Sequence, residues 1–203
     1  MSKKIVIIGA SGHGKVLAYI AKLNGYSEIV FLDDDSSLKE CGCYPVAGTS
    51  EDIKFYQNYD FAIGIGNAQI REKIQNKIEF AQFSLPVLVH PDAVIAEEVS
   101  IGNGTVVMAG TVIGPGTVIG RGCIINTSAS VDHDCSIADF VHISVGCHVA
   151  GTVKVGERTW IGAGAIVSNN IEICEECIVG AGAVIVRSIK SSGTYVGVPA
   201  KKI

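Results

Sequence analysis

The sequence has no excess of positive charge: 16 basic side chains face 20 acidic ones across 203 residues, a formal net charge of -4. That balance excludes the basic face that nucleic acid or an anionic membrane surface would need. Long apolar runs are missing too. The opening MSKKIVIIGASG carries two lysines and an apolar stretch that ends in glycine after four residues, too few for a signal-peptide core, and no other stretch reaches about 18 consecutive apolar residues. The expectation is a cytoplasmic protein with no membrane partner. There the seven cysteines stay reduced, which makes a disulfide framework unexpected. They also lack metal-site spacing, because Cys41-x-Cys43 is too short and Cys174-x-x-Cys177 has no second half, so no metal is expected.

What the chain does have is a repeat. From Val89 to Ile185, every sixth residue is Val or Ile, seventeen in unbroken succession. A six-residue step fits neither a 3.6-residue helix nor a lone amphipathic strand and marks a hexapeptide β-helix. Three such segments make one triangular coil of eighteen residues, with one aliphatic side chain per segment pointing inward. Four positions after each aliphatic residue a second, smaller inward side chain is expected, which reads Cys123, Cys135, Cys147 and Cys177 as core residues rather than nucleophiles. Gly102, Gly114, Gly120, Gly156, Gly162 and Gly180 follow the aliphatic position and are expected at corners whose backbone angles other residues resist. At about 4.8 Å between neighbouring strands, the prism would stand roughly 27 Å tall.

The N-terminal part alternates strand and helix instead. Residues 4–9 read as a buried strand. Residues 14–24 form a helix with Val16, Leu17, Ile20 and Leu23 on one face, and residues 28–33 a second strand. A third strand follows at 60–66, then a helix from Ala68 to about Phe80 with Ile70, Ile74 and Ile78 inward, while residues 36–50 read as loop. The expected fold is an α/β, Rossmann-like N-terminal domain with a parallel sheet over residues 1–85, followed by an all-β parallel β-helix with a C-terminal tail over residues 86–203.

Two places carry candidate chemistry. Gly9-Ala-Ser-Gly-His-Gly14 joins a strand to a helix, so backbone N–H groups there can hold a phosphate, and Asp33 and Asp34 end the second strand, where such folds bind a ribose or base. A tight turn with solvated acids fits the same pattern. A dinucleotide dehydrogenase fits poorly, because the α/β part supplies only half of a nicotinamide-binding sheet. Gly64-Ile-Gly66-Asn67 adds a second close backbone approach on the same edge, or a plain strand-to-helix turn. In the β-helix, Asn126, Asp132 and Ser144 replace the glycine of the repeat, and His133 lies among them with Asp134 directly after it, a carboxylate able to orient an imidazole base. Gly151 stands eighteen residues on, one coil above His133, with a backbone N–H that can face a developing oxyanion. His142 and His148 read as corner histidines, and His90 as a junction residue.

The segments GASGHG at 9–14, FLDD at 31–34, GIGN at 64–67, NTSASVDHDC at 126–135, HISVG at 142–146, Ala150-Gly151 and GVPAK at 197–201 resemble, over the whole chain, the bacterial hexapeptide acetyltransferases that modify amino sugars, loosely named sialic-acid O-acetyltransferases. Within that family the chain is similar to the UDP-4-amino-sugar N-acetyltransferases of bacillosamine synthesis. The resemblance implies a left-handed β-helix, a homotrimer with sites between subunits, and acetyl-CoA as co-substrate. It implies His133 as general base with Asp134 its acidic partner, where some relatives carry glutamate, and the Gly151 N–H as oxyanion donor. It places His142, Gly151, Ala163, Ala181, Val198, Pro199 and Lys201 on the coenzyme. It puts Ser11, Gly12 and His13 near the phosphate and sugar of a nucleotide sugar, Asp33 and Asp34 at its base, and Gly66 and Asn67 nearby.

The implied reaction is direct acetyl transfer to the amino group of a nucleotide-linked, UDP in preference to GDP, 4-amino sugar. Two other readings stay open: an O-acetyltransferase on sialic acid or a related sugar, and a non-catalytic, ligand-binding trimeric scaffold.

Overall fold

The computed structural model describes residues 3–203. The chain divides into two compact units, Met1–Pro91 and Asp92–Ile203. The division expected at 85/86 differs from this one by residues 86–91. Those residues are held to the first unit's opening helix: Asn24 Nδ2 donates to the Val89 carbonyl at 2.9 Å, and Tyr19 packs on His90 with ring centroids 5.8 Å apart.

In the first unit three parallel strands lie in the order Tyr26–Leu32, Lys3–Ile8, Asp60–Ile63. The central strand is buried on both faces, as its unbroken run of Ile and Val requires. Helix Gly12–Leu23 buries Leu17, Ala18, Ile20 and Ala21. Val16 and Leu23, expected on that inner face, are 39% and 42% exposed, while Ala18 and Ala21 are buried in their stead. Helix Ala68–Phe80 starts at Asn67, whose side chain accepts from Ile70 N–H, an N-cap that satisfies a free helix donor. Ile74 and Ile78 point inward, whereas Ile70 is 49% exposed. The segment read as loop contains the hairpin Glu40–Cys41/Tyr44–Pro45 and a short 3-10 helix, Ser50–Phe55, closed by a capping box between Thr49 and Asp52.

The second unit is the β-helix. Its two-residue strands pair in parallel with partners eighteen residues away, so that Val112–Ile113 lies between Val94–Ile95 and Ser130–Val131. One face stacks six such strands from Val94–Ile95 to Val184–Ile185, and a second stacks five from Ser100–Ile101 to Glu172–Ile173. On the third, Cys177–Val179 is followed by Gly193–Val196, onto which Lys201–Lys202 folds back antiparallel. Inside, Val107, Ile113, Ile125, Val131, Ile143, Val155 and Val167 are essentially sealed from water, each contributing about 1.5–3 kcal/mol of burial. The four cysteines read as core residues are all buried.

The corner glycines have a different reason from the one the repeat suggests. Gly102, Gly114, Gly120, Gly156, Gly162 and Gly180 do not adopt left-handed backbone angles. The left-handed positions come two residues later and are occupied by Gly104, Gly116 and Gly122 but also by Asp134, Thr152, Arg158 and Asn170. Gly102, Gly114 and Gly156 are small because a Cβ there would meet the backbone of the next coil, at 2.5, 2.7 and 2.4 Å respectively.

Candidate functional site

The corner after strand Ser130–Val131 carries the residues singled out for catalysis. His133 Nδ1 lies 2.8 Å from Asp134 Oδ2. An ionised carboxylate only accepts, so Nδ1 carries the ring proton and Nε2 is the basic nitrogen. Asp134 reaches this position with φ 55°, a left-handed turn that lets its side chain curl back to its neighbour, over Gly116. On the other side, Asp132 Oδ1 accepts the backbone N–H of His133 at 2.8 Å. The hydrogen bond to Asp134 first, and the charge of Asp132 second, raise the histidine above its ordinary pKa.

The corner is held from inside the prism. Thr117, read from the sequence only as a small core residue, donates through Oγ1 to the Asp132 carbonyl at 2.7 Å and accepts from Cys135 N–H at 3.2 Å, so one buried hydroxyl ties the backbone on both sides of His133 and Asp134. Thr105 and Thr159 do the same on another corner of the prism, three coils apart from each other. The signal available in the sequence was threonine, rather than alanine, at inward positions.

Gly114 lies under this corner, where a Cβ would stand 2.7 Å from His133 N, and Gly151 lies over it. A Cβ on Gly151 would come within 2.5 Å of His133 Nε2, so only glycine leaves room for the imidazole. Gly151 N–H donates to no protein acceptor among the described residues. A basic nitrogen and a free N–H donor thus lie side by side, one to take a proton and one to face negative charge.

Apart from Gly151, the residues assigned to the coenzyme lie elsewhere on the same unit. Ala163 and Ala181, eighteen residues apart, are exposed on the corner at the other end of that face. His142 stacks on Trp160 with ring centroids 6.0 Å apart and an interplanar angle of 8°, its Nε2 3.2 Å from Asn126 Nδ2. Trp160 Nε1 in turn donates to Ser144 Oγ at 2.6 Å. The polar residues around 126–144 therefore form two groups, one at His133 and one at His142. Pro199 and Lys201 line a groove of about 340 Å³ with Arg187 and Tyr195, while Val198 is exposed beside it. His148 is engaged by Ser130, Oγ to Nδ1 at 2.8 Å.

In the first unit a cleft of about 370 Å³ brings together Gly9, Ser11, Asp33, Asp34 and Gly66 with Ser50 and Ile70. The glycines here divide in two. Gly14 and Gly64 are packing glycines, since a Cβ on Gly14 would stand 2.1 Å from the Gly9 carbonyl and one on Gly64 2.8 Å from Gly14 Cα. Gly12 and Gly66 face open space. Both acids already serve the protein: Asp33 accepts from Ala10 N–H at 2.6 Å and Asp35 N–H at 2.9 Å, and Asp34 from Ser50 N–H at 2.8 Å and Ser50 Oγ at 3.1 Å. Gly12, His13 and Asn67 do not line the cleft. His13 Nε2 is buried without a partner, and burial, with the positive charge of Arg71, lowers the histidine to about 4, so its ring is neutral at physiological pH.

No helix among the described residues is long and apolar enough to cross a membrane. The PglD N-terminal domain family matches residues 4–78, and the bacterial transferase hexapeptide family, six repeats, matches residues 152–187. The acetyltransferase domain of PglB from Neisseria gonorrhoeae FA1090, solved in complex with acetyl coenzyme A, is 42% identical with a TM-score of 0.96, over 100% of both chains. PerB from Caulobacter crescentus, in complex with CoA and GDP-perosamine, is 36% identical with a TM-score of 0.94, over 98% of this chain and 97% of that one. The UDP-N-acetylbacillosamine N-acetyltransferase of Bacillus subtilis (strain 168) is 34% identical over 112 residues, 53% of this chain and 52% of the relative, so the chain spans about half the length of that curated relative. With its two units matching in order and its whole length superposing on such a structure, the chain belongs to the bacterial hexapeptide-repeat sugar acetyltransferases with a PglD-type N-terminal domain.

Proposed function

We propose that the protein transfers an acetyl group from acetyl-CoA to the amino group of a UDP-linked 4-amino sugar, directly and with His133 as general base. The observation that carries this reading is the His133–Asp134 pair packed against Gly151, with Nε2 free to accept a proton and a backbone N–H free to donate. Acetyl-CoA supplies an activated thioester carbonyl. His133 Nε2 takes the proton that the sugar amine releases as it attacks that carbonyl, and Asp134 holds the resulting imidazolium. The Gly151 N–H faces the oxygen on which charge develops. The imidazolium then returns its proton to the departing thiolate, so no covalent acetyl-enzyme forms and both proton transfers use one nitrogen.

The 370 Å³ cleft is assigned to the nucleotide sugar, with the open backbone at Gly66 on its wall, and at Gly12 next in sequence to the wall residue Ser11, offered to the phosphates. The basic groove at Arg187 and Lys201 is assigned to the phosphate end of the coenzyme. Relatives differ in nucleotide, since one is named for a UDP sugar and another is bound to a GDP sugar. Because the His133 corner and the Ala163–Ala181 corner lie at opposite ends of one face, a complete site draws on two chains, which supports a homotrimer. The protein is taken to act in the cytoplasm.

The test is thiol release from acetyl-CoA with a panel of UDP- and GDP-linked 4-amino sugars. Turnover with a UDP sugar above its GDP counterpart is expected, and no release with any of them overturns the reading. Turnover of a free acidic sugar without nucleotide would favour O-acetylation instead.

A further inference from the structure

The corner between Ile173 and Cys177 holds two thiols that the proposed chemistry does not use. Cys174 Sγ and Cys177 Sγ stand 3.5 Å apart, across the two-residue turn Glu175–Glu176. Both are free cysteines, and among the described residues no group of three or more His, Cys, Asp or Glu is arranged to hold a metal. The pair therefore lacks the ligands that would make it a zinc site, yet it is much closer than two cysteines placed independently in a core.

The two thiols differ in access. Cys177 is an inward residue, 0% exposed, and its pKa is raised to about 12, chiefly by burial and then by its hydrogen bond with Cys174. Cys174 is half-buried at the rim of a groove of about 480 Å³ that it shares with Lys154, Glu172 and Lys190. The corner itself is polar and solvated. Arg158 bonds Glu157 and Glu176 at 2.9 and 3.1 Å and pairs with Glu175 at 3.6 Å. A small polar oxidant in water thus reaches Cys174 and not Cys177. A disulfide needs its sulfurs about 2.0 Å apart, and this turn already brings them to 3.5 Å.

We propose that Cys174 and Cys177 form a vicinal dithiol, a site of reversible oxidative modification that closes to an intrachain disulfide when a hydroperoxide is the oxidant. The Cys174 sulfur attacks one peroxide oxygen, the O–O bond breaks, and water leaves, giving a sulfenic acid. The Cys177 thiol then displaces the hydroxyl from that sulfur and loses its proton to it. The net change is two thiols and one hydrogen peroxide to one disulfide and two waters, with two electrons passing from sulfur to oxygen. The bond closes beneath the strand Gly193–Val196, which pairs with Cys177 in register and leads into the tail 197–201. Oxidation therefore acts at the end of the prism away from His133.

The full chain contains a convenient reporter. Trypsin cuts after Arg158 and Arg187, and the peptide between them carries Cys174 and Cys177 and no other cysteine. The folded protein is treated with hydrogen peroxide, denatured, alkylated with iodoacetamide and digested. The expected result is a peptide two hydrogens lighter that takes no alkyl group, fully restored by dithiothreitol, with Cys174→Ser leaving Cys177 reduced and alkylated under the same treatment. Two results overturn the proposal: both cysteines still alkylated while exposed Cys43 is fully oxidised, or the peptide gaining oxygen instead of losing hydrogen.

Discussion

As the proposed base, His133 can act only while its imidazole is neutral, and the two aspartates beside it favour the charged form. Its pKa lies above the ordinary histidine value, so the ring is still protonated at a pH where a typical histidine has already lost its proton. Log kcat/KM should rise with pH through an acid limb placed above 6.5, the ordinary histidine value, because the Asp134 hydrogen bond and the Asp132 charge hold the proton on the ring. Asp134→Asn removes the largest cause, so a pH profile of the variant should show that limb moved down, with a lower plateau because the imidazolium has lost its partner. An unmoved limb would mean that a different group titrates. Thr117 makes a second prediction. Thr117→Val leaves the Asp132 carbonyl and the Cys135 N–H without their buried partner, a loss of about 1–3 kcal/mol in denaturant unfolding. Thr117→Ser, which keeps the hydroxyl, should restore most of both stability and kcat.

The two glycine-rich segments show why elements of the α/β unit were easier to read than their details. The order of strands and helices was legible because apolar runs and helical periods are properties of neighbouring residues, and the parallel sheet followed from them. Which face each residue meets was not, because that depends on partners far along the chain. Ile70 was read as inward by period, yet it lines the cleft, and Val16 yields the inner face to two alanines. The loop 36–50 hid a hairpin only two residues long on each side, too short for any periodic signal. The same distinction separates Gly14 from Gly12. Gly14→Ala pushes a Cβ into the Gly9 carbonyl and should lower the melting temperature sharply or prevent folding. Gly12→Ala meets nothing and should melt at or above the wild-type temperature, while weakening the stabilisation that a nucleotide sugar gives in a thermal-shift measurement. Equal ligand-induced shifts in the two proteins would remove Gly12 from the binding surface.

At the scale of the whole molecule the repeat was the most legible feature, since a period of six over seventeen positions leaves one physical solution, a stack of triangular coils. The inward residues could be named from it, but the corners could not. The left-handed residue of each turn varies from glycine to Asp134, Thr152 and Asn170, so composition does not mark it. His133 stood out because its surroundings broke the glycine pattern, but the contacts that hold its corner, His133 with Gly151 and Asp132 with Thr117, join residues 18 and 15 positions apart that adjacency in sequence does not connect. If two chains complete each site, then His133→Ala and Ala181→Trp, each inactive alone, should recover part of the activity when unfolded together and refolded. No recovery would contradict a shared site.

The central claim is that His133 accepts the proton of the attacking amine. Its most direct measurement is the initial rate of thiol release from acetyl-CoA with a UDP-linked 4-amino sugar, for wild type and His133→Ala proteins of matched melting temperature. A fall in kcat of about 10²-fold or more is expected, the range for loss of a general base. An unchanged rate would contradict it.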